Sequence, residues 1–447
     1  SFGLSTTLLL GLLPACTPTP SAEQCVAETF DMQAHARFVA GQTYWLPRLD
    51  DDTACAELRW TVAERPEGSL EPIVKGADGL WRITPTTTGT WRFELAGISD
   101  DSSITLEVVG ADAKPFENFN YYPSGSLAQV GAELWVANVQ QPTITRVDPA
   151  SMSVLGEVAV GPWPVSLAWR EGMSFAVVAQ RGSDTLGLVA LADDTGPARL
   201  IDAIWIGDEP AHVVVSPDGK WAYATLQSEG AVAVIDLDKR VRTARIDALR
   251  DPKAMAISED GSKLWVASHR SGQPSRYPYE DDAIEDERDL VVIDTATNEV
   301  IDTWLDLGTT ITGLTLAPGG NELWMSRIVN DTAANLADTE GLSFVHEVAV
   351  LDPKSGALLR KADLGRQASS GGHVVSLHGI DVAADRVWVV AEGSDLAIAL
   401  DPATLAEQAR VSVAGRPRSL ARIGDQVFVH GAQATTLSRL DAGASSS

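Results

Sequence analysis

The chain repeats one short pattern. An aromatic or apolar residue in a strand-like segment, which we call the anchor, is followed thirteen positions later by an aspartate. Four copies keep this spacing, and their anchors and aspartates are Trp135 with Asp148, Tyr223 with Asp236, Trp388 with Asp401, and Phe428 with Asp441. A repeat constrains the fold more than any single motif does. One unit of this size cannot bury both of its faces, so it must stack on its neighbours.

Three further copies depart from this spacing. Those that start at Trp265 and Trp324 contain about sixteen and fifteen extra residues before their aspartates, and the copy at Val177 has Ala190 in place of the aspartate. Apolar segments and turns precede the anchors, such as the Ser-Pro-Asp-Gly turn at 216–219, in which proline fixes φ. We expect the recurring aspartate to hydrogen-bond to its own backbone, which is a structural role.

Once the insertions are removed, each copy predicts four antiparallel strands in about 40 to 46 residues, which is the size of a propeller blade. Seven anchors predict seven blades, and the segments "YATLQSEGAVAVID" and "LWVASH" resemble the YVTN-type bacterial β-propeller repeat. The last copy, "TTLSRLDAGASSS", stops after three strands. We therefore expect the segment near residues 118–130 to complete its blade; the alternative is a truncated sequence that lacks a further domain.

Residues 1–16, "SFGLSTTLLLGLLPAC", form an apolar run that is shorter than the roughly 20 residues of a membrane-spanning helix and typical of a signal-peptide core. Its last four residues resemble a bacterial lipobox, although Pro14 is an unusual occupant. The resemblance implies acylation of Cys16, a lipid anchor in the bacterial cell envelope, and residues 17–25 as a tether. An ordinary signal-peptidase cut is the alternative. Cys25 and Cys55 would most simply pair as a disulfide in an oxidising compartment; free or differently paired thiols are the alternative.

Residues 26–110 show alternating strands between Pro/Gly turns, the pattern of an antiparallel sandwich. The stretch "TGTWRFEL" at 88–95 resembles a strand of immunoglobulin-like and polycystic-kidney-disease-like domains, which implies a spacer or adhesion module. The predicted architecture is therefore all-β: an N-terminal immunoglobulin-like β-sandwich, a linker at 111–126, and a seven-bladed β-propeller over 127–447.

Composition and motifs exclude several functions. The 61 acidic and 34 basic residues give a formal charge of −27, which repels nucleic acid and is typical of a solvated surface on an exported protein. The sequence contains no haem-attachment motif, nucleophile elbow, Walker loop or zinc-protease helix. We therefore assign no catalytic residue.

Propeller topology nevertheless predicts a shared site. Loops between second and third strands lie on the same rim as the loops between blades, and both insertions, about 270–289 and 328–346, fall there. The candidate ligand-binding residues that register brings to this mouth of the channel are His212, His269, Arg270, Arg327, His373, His378 and Glu392.

Three interpretations of the mouth stay open: hydrogen-bonded loop anchors around a water-filled channel, a platform for an envelope protein or small ligand, or a transition-metal or redox site. The sequence predicts no cofactor; a transition metal and calcium are kept only as hypotheses. The acidic run "YPYEDDAIEDERD" offers Glu280, Asp281, Asp282 and Asp286 to calcium, but it lacks the Asp-x-Asp-x-Asp-Gly spacing, and a solvated loop is the alternative.

The sequence thus favours a non-enzymatic binding or scaffolding module that uses the insertion-bearing face of the propeller. The first alternative is an oxidoreductase or its accessory subunit, because related propellers occur in quinone-cofactor dehydrogenases and beside haem domains. The second is a metal-dependent, lactonase-type hydrolase, which needs carboxylates and histidines around a central metal.

Overall fold

The structure of the 447-residue chain is a computed structural model. It describes residues 35–39, 44–45, 59–69, 73–75, 81–96, 103–109, 125–139, 141–194, 196–269, 288–330, 344–365, 374, 376–431 and 437–440. Nearly all regular elements of this part are strands. None of its helices has the length and apolar character needed to cross a membrane. The predicted features outside the described residues are Cys16, Cys25, Cys55, Arg270, His373, Glu280, Asp281, Asp282 and Asp286.

The described part of residues 35–109 forms two sheets. The first contains, in spatial order, β1 (His35–Val39), β7 (Ser103–Val109), β6 (Gly89–Ala96) and β3 (Arg59–Glu64), and the second β2 (Tyr44–Trp45), β5 (Trp81–Ile83) and β4 (Ile73–Lys75). Trp91 and Phe93 alternate along β6 and are fully buried, as the period of two in a strand requires. β3, β5, β6 and β7 agree with the predicted strands, but β1 pairs with β7 in parallel, so the first sheet is not purely antiparallel as expected. The immunoglobulin-like assignment stays a prediction.

Residues 127–440 form seven consecutive antiparallel sheets, and in each sheet the first strand lies innermost. Blade 1 contains β8 (Leu127–Val130), β9 (Glu133–Asn138), β10 (Thr143–Val147) and β11 (Val154–Ala159). Blade 2 contains β12 (Pro164–Ala168), β13 (Phe175–Gln180), β14 (Thr185–Ala190) and β15 (Arg199–Trp205). Blade 3 contains β16 (Pro210–Val215), β17 (Trp221–Leu226), β18 (Ala231–Asp236) and β19 (Val241–Asp247).

The other four blades follow the same order. Blade 4 contains β20 (Pro252–Ile257), β21 (Lys263–Ser268), β22 (Leu290–Asp294) and β23 (Glu299–Trp304). Blade 5 contains β24 (Thr310–Leu316), β25 (Leu323–Asn330), β26 (Phe344–Leu351) and β27 (Leu358–Asp363). Blade 6 contains β28 (Leu377–Val382), β29 (Val387–Ala391), β30 (Leu396–Leu400) and β31 (Glu407–Ser412). The described part of blade 7 contains β32 (Pro417–Ile423), β33 (Gln426–Gly431) and β34 (Leu437–Leu440). Two short 3-10 helices, η1 (Arg181–Ser183) and η2 (Glu392–Ser394), follow β13 and β29.

Apolar cores lie between consecutive blades, where the alternating buried residues of two sheets meet. The core between blades 7 and 1 closes the ring, because Phe428 packs there with Leu134 and Val136. Hydrogen bonds reinforce this closure: the Ser126 Oγ lies 2.9 Å from both the Ser419 Oγ and the His430 Nδ1. The predicted seven-bladed propeller is therefore confirmed.

The predicted closing strand is wrong where it can be compared. Residues 127–130 do not complete blade 7; they form β8, the innermost strand of blade 1, in which Leu127 pairs with Val136. The reason is local, since the two-residue turn at 131–132, with Gly131 at φ 61°, returns the chain directly onto its neighbour. Residues 118–124 lie outside the described part of the chain.

The second insertion is shorter than the sequence indicates. We expect it over about 328–346, but β25 and β26 pair through Ile328 with His346 and through Asn330 with Phe344. The apolar side chains of this hairpin favour continued pairing, with Val345 buried. Residues 331–343 therefore separate the two strands.

The recurring aspartates stabilise turns, as predicted. One carboxylate oxygen of Asp401 accepts hydrogen bonds from the backbone N–H groups of Ala403 and Thr404, at 3.1 and 2.8 Å. The same pair of hydrogen bonds occurs at Asp148, Asp294 and Asp352. These aspartates are therefore occupied by the backbone of their own turns.

Glycines in the innermost strands let neighbouring blades approach closely. A Cβ at Gly379 would lie 2.7 Å from the backbone oxygen of Arg418 in blade 7. We expect Gly379→Ala to lower the free energy of unfolding by about 1–3 kcal/mol, because the blades must separate. Urea denaturation measures this effect. Gly196→Ala, whose Cβ would lie 3.7 Å from a flexible Arg199 side chain, is the control; equal losses for the two variants would contradict the prediction.

Candidate functional site

Backbone hydrogen bonds join the two kinds of loop that the topology predicts on one rim. The Arg181 N–H donates to the Trp163 oxygen at 3.0 Å, and the Glu392 N–H donates to the Ser376 oxygen at 2.9 Å. Gln227 and His269 make the same contact with the preceding interblade loops, through Glu209 and Asp251. Each of these four residues therefore starts the loop after the second strand of its blade at the same level of the rim.

Two of these loops share a Gly-Ser-Asp sequence that sequence analysis missed. Arg181 and Glu392 each begin a 3-10 turn that ends at an aspartate in the left-handed region, Asp184 and Asp395, with φ of 56° and 52°. Aspartate tolerates this conformation better than most residues do. The Asp395 carboxylate accepts the backbone N–H of Arg416 at 2.8 Å, which fixes the loop to the next blade connection. The signal was present in "RGSD" and "EGSD" at equivalent places.

Register shifts in the innermost strands place further polar residues at this level. β20 shifts register between Pro252 and Ala254, and β32 shifts between Pro417 and Ser419. Lys253 and Arg418 occupy these bulges and are only 2% and 5% exposed. His378 lies in the corresponding shift of β28 and is 4% exposed. Lys253 and Arg418 were not predicted, although each follows a proline at the start of an innermost strand.

Glu392 is the centre of an ion-pair network. Its Oε2 lies 2.8 Å from the His378 Nε2. Its Oε1 accepts a hydrogen bond from the Arg418 Nη2 and forms an ion pair with the Arg416 Nη2. The carboxylate is 2% exposed. Burial alone would raise its pKa, but the hydrogen bonds from His378 and Arg418 outweigh burial and lower the pKa of Glu392 to about 2. Glu392 is therefore ionised at neutral pH.

Lys253 lies close enough to this network to share its electrostatics. Burial, together with the positive charges of Arg418 and Arg181, lowers the pKa of Lys253 to about 7, although the negative charges of Asp251 and Glu392 oppose the shift. Burial likewise lowers the pKa of His378 to about 4, so its imidazole is neutral at pH 7. We call Arg181, Lys253, His378, Glu392, Arg416 and Arg418 the mouth cluster.

A polar cavity adjoins the mouth cluster through Arg181. The Arg181 guanidinium lies 2.6 Å from the Glu209 carboxylate and donates to the Gln227 side-chain oxygen at 2.7 Å. Gln227 in turn donates to Asp251, so the contacts cross blades 2 to 4. The cavity measures about 500 Å³, a size typical of small-molecule sites. Its lining residues are Arg181, Glu209, Gln227, Ser228, Glu229, Gly230, Arg250 and Asp251.

The structure brings together only some of the predicted site residues. His378 and Glu392 are in direct contact, and His212 lies in β16, where its Nδ1 accepts the Met255 N–H of blade 4 at 3.2 Å. Burial and the charge of Lys253 lower the pKa of His212 to about 4. His269 lies on the rim beside the loop that carries Asp251.

Arg327 contacts other residues than the mouth cluster. Its guanidinium lies 2.7 Å from the Glu347 carboxylate and donates to the Leu307 oxygen at 2.6 Å, which are contacts within blade 5 and with the preceding loop. The pair is buried, with Arg327 5% exposed. The adjacent strand thus supplies a partner for Arg327 that its position in β25 alone does not reveal. Arg270 and His373 lie outside the described residues.

A transition-metal site was one of the three open interpretations of the mouth. Over the described ranges, no three or more His, Cys, Asp or Glu side chains are grouped so that they could hold a metal ion. The acidic run with Glu280, Asp281, Asp282 and Asp286 lies in the gap between residues 269 and 288, so the calcium hypothesis is not tested there.

Comparison with known proteins supports the fold. No family model matches this sequence, and no curated protein matches it. Among solved structures, the chain is similar to Kuenenia stuttgartiensis hydrazine synthase, with a TM-score of 0.62 and 18% identity over 74% of this chain and 99% of that chain. At this identity the likeness shows the propeller fold alone.

Proposed function

We propose that the protein is a non-enzymatic binding module that holds a ligand at the mouth cluster, on the loop-bearing face of the propeller. The observation that carries this proposal is the burial of charged or titratable side chains from blades 2, 4, 6 and 7 at one level. Burying charges costs free energy, and well-packed apolar side chains of similar size are often at least as favourable. Perturbed, clustered charges beside a cavity are typical of functional sites.

The other classes have less support. Neither the oxidoreductase alternative nor the lactonase-type alternative has a specific contact in its favour among the residues that the structure describes, and the name of the hydrazine synthase neighbour adds only a fold. Binding requires no group beyond those in the cluster and its cavity. We retain the envelope location, the lipid anchor at Cys16 and an envelope partner as parts of the proposal that rest on the sequence.

Blocking the cavity tests the proposal. Ser228 is exposed and lines the cavity, so an indole at this position would fill part of its volume. In a panel of anionic, neutral and cationic compounds, we expect at least one class to raise the Tm of the full chain by about 2 °C or more, by binding the folded state. Ser228→Trp should abolish that rise, which differential scanning fluorimetry measures.

A tryptophan on the opposite rim provides the control. Ser262 is exposed in the turn between β20 and β21, on the rim that carries the tight turns. Ser262→Trp should keep the ligand-induced rise in Tm. If no compound stabilises the protein, or if Ser228→Trp responds as the unmodified chain does, the mouth is not a ligand site.

A further inference from the structure

The cavity that adjoins the mouth cluster has a polar lining. Five of its eight described lining residues carry charged side chains, and the other three are Gln227, Ser228 and Gly230. Pockets for apolar, drug-sized molecules are lined mainly by hydrophobic and aromatic side chains, which are absent from the described lining of this one. The cavity, of about 500 Å³, therefore suits a small polar ligand.

Charges of both signs face this cavity, and they already compensate one another. Glu229 is paired from outside the lining, because the Arg245 Nε lies 2.8 Å from its carboxylate. The other charged lining residues are two carboxylates and two guanidinium groups, namely Glu209, Asp251, Arg181 and Arg250. A ligand with a single charge would disturb this balance, whereas a ligand with one positive and one negative group would keep it. The charges of the lining thus favour a zwitterion.

The charged groups of the lining can accept a ligand in addition to their present partners. The Glu209 Oε2 lies 2.6 Å from the Arg181 guanidinium, and the Glu209 side chain is still 41% exposed. An ionised carboxylate has about four acceptor positions on its two oxygens, so this ion pair leaves room for an ammonium group. Arg250 is exposed, and a guanidinium offers five N–H donors in a fork that fits a carboxylate. A zwitterion can therefore bind without breaking the ion pairs.

Gln227 fixes the groups of the lining relative to one another. Its side-chain oxygen accepts a hydrogen bond from Arg181 at 2.7 Å, its side-chain amide donates to Asp251, and its backbone N–H donates to the Glu209 oxygen at 3.1 Å. Sites that are held in place before binding lose less entropy when they bind. Building on the function proposed above, we infer that the cavity binds a free amino acid, with its ammonium group at the carboxylates of the lining and its α-carboxylate at Arg250.

A screen of the twenty common amino acids against the full chain tests this inference, by differential scanning fluorimetry at pH 6.5 and 0.15 M NaCl. At least one of them should raise the Tm by about 2 °C or more, because it binds the folded state. Isothermal titration calorimetry should then show saturable binding of that amino acid at one site. Its α-amide, which lacks the negative group, and its 2-hydroxy acid, which lacks the ammonium group, should each bind at least about tenfold more weakly.

Arg250→Gln should weaken binding of the same amino acid at least about tenfold and leave the affinity for its α-amide unchanged, because the amide lacks the carboxylate that Arg250 binds. Arg199→Gln is the matched control, since Arg199 is exposed at the start of β15, the outermost strand of blade 2, and its loss changes the net charge equally. The affinity of Arg199→Gln should stay within about twofold of that of the unmodified protein.

Three results would each overturn the inference: no amino acid raises the Tm, the α-amide or the hydroxy acid binds as tightly as the amino acid, or Arg250→Gln binds as tightly as Arg199→Gln. The proposed binding function is judged separately. An anionic, cationic or uncharged compound whose stabilising effect is lost in Ser228→Trp would leave that function standing without the zwitterion.

Discussion

Glu392→Gln should lower the free energy of unfolding by about 3–5 kcal/mol, because it removes the charge but keeps the shape of a buried carboxylate with cationic partners. The carboxylate contacts Arg416, Arg418 and His378, and it is 2% exposed. An amide cannot neutralise two guanidinium groups. Arg418, at 5% exposure, would then keep its charge in a buried place without that compensation. Urea denaturation followed by circular dichroism measures the loss.

Glu299→Gln is the matched control, because Glu299 is exposed on β23, the outermost strand of blade 4. Its effect should stay within about 0.5 kcal/mol. A loss below about 1 kcal/mol for Glu392→Gln would show that the two guanidinium groups do not depend on this carboxylate. The ion pairs of Glu392 would then not be what stabilises the mouth cluster.

The number of blades could be predicted because its signals are local. The strand–turn–strand pattern and an aspartate that bonds its own turn, as at Asp401, act over a few residues, so they can recur in most blades. The shared rim could also be predicted, since it follows from strand order alone. Strand order also explains why His378 lies beside Glu392, fourteen positions away in the sequence. His378 lies at the start of the first strand of blade 6, and Glu392 directly follows the second strand of the same blade.

Which side chains occupy the mouth could not be predicted from the repeat pattern of the sequence. Lys253 and Arg418 occupy the mouth because β20 and β32 shift register after their first prolines, and strict alternation does not reveal a bulge. Glu347, on the paired strand, binds Arg327, which the sequence pattern did not reveal, and the predicted ligand-binding role of Arg327 stays a prediction. Side-chain partners across strands are set by tertiary packing, so they could not be identified from one sequence.

Lys253 also predicts how stability should depend on pH. Its pKa is about 7 in the folded protein against 10.5 for an unperturbed lysine, so between these values the unfolded chain binds a proton that the folded chain does not. The free energy of unfolding should therefore rise with pH above about 7, by up to about 1.4 kcal/mol per pH unit. The charged or titratable groups around Lys253 are Arg181, His212, Asp251, His378, Glu392 and Arg418. The two histidines have pKa values of about 4, so they remain neutral throughout this range.

Lys253→Met isolates this contribution, because methionine fills similar space and does not titrate. From pH 6.5 to pH 8.5, the free energy of unfolding of the unmodified protein should rise by about 2 kcal/mol relative to that of Lys253→Met. Asp184, whose pKa burial raises to about 7, titrates in both proteins and cancels in the comparison. The exposed Lys220→Met should show no such change, and urea denaturation at the two pH values measures all three chains. A constant difference between Lys253→Met and the unmodified protein would mean that Lys253 stays charged above pH 8, with its ammonium group already compensated inside the propeller.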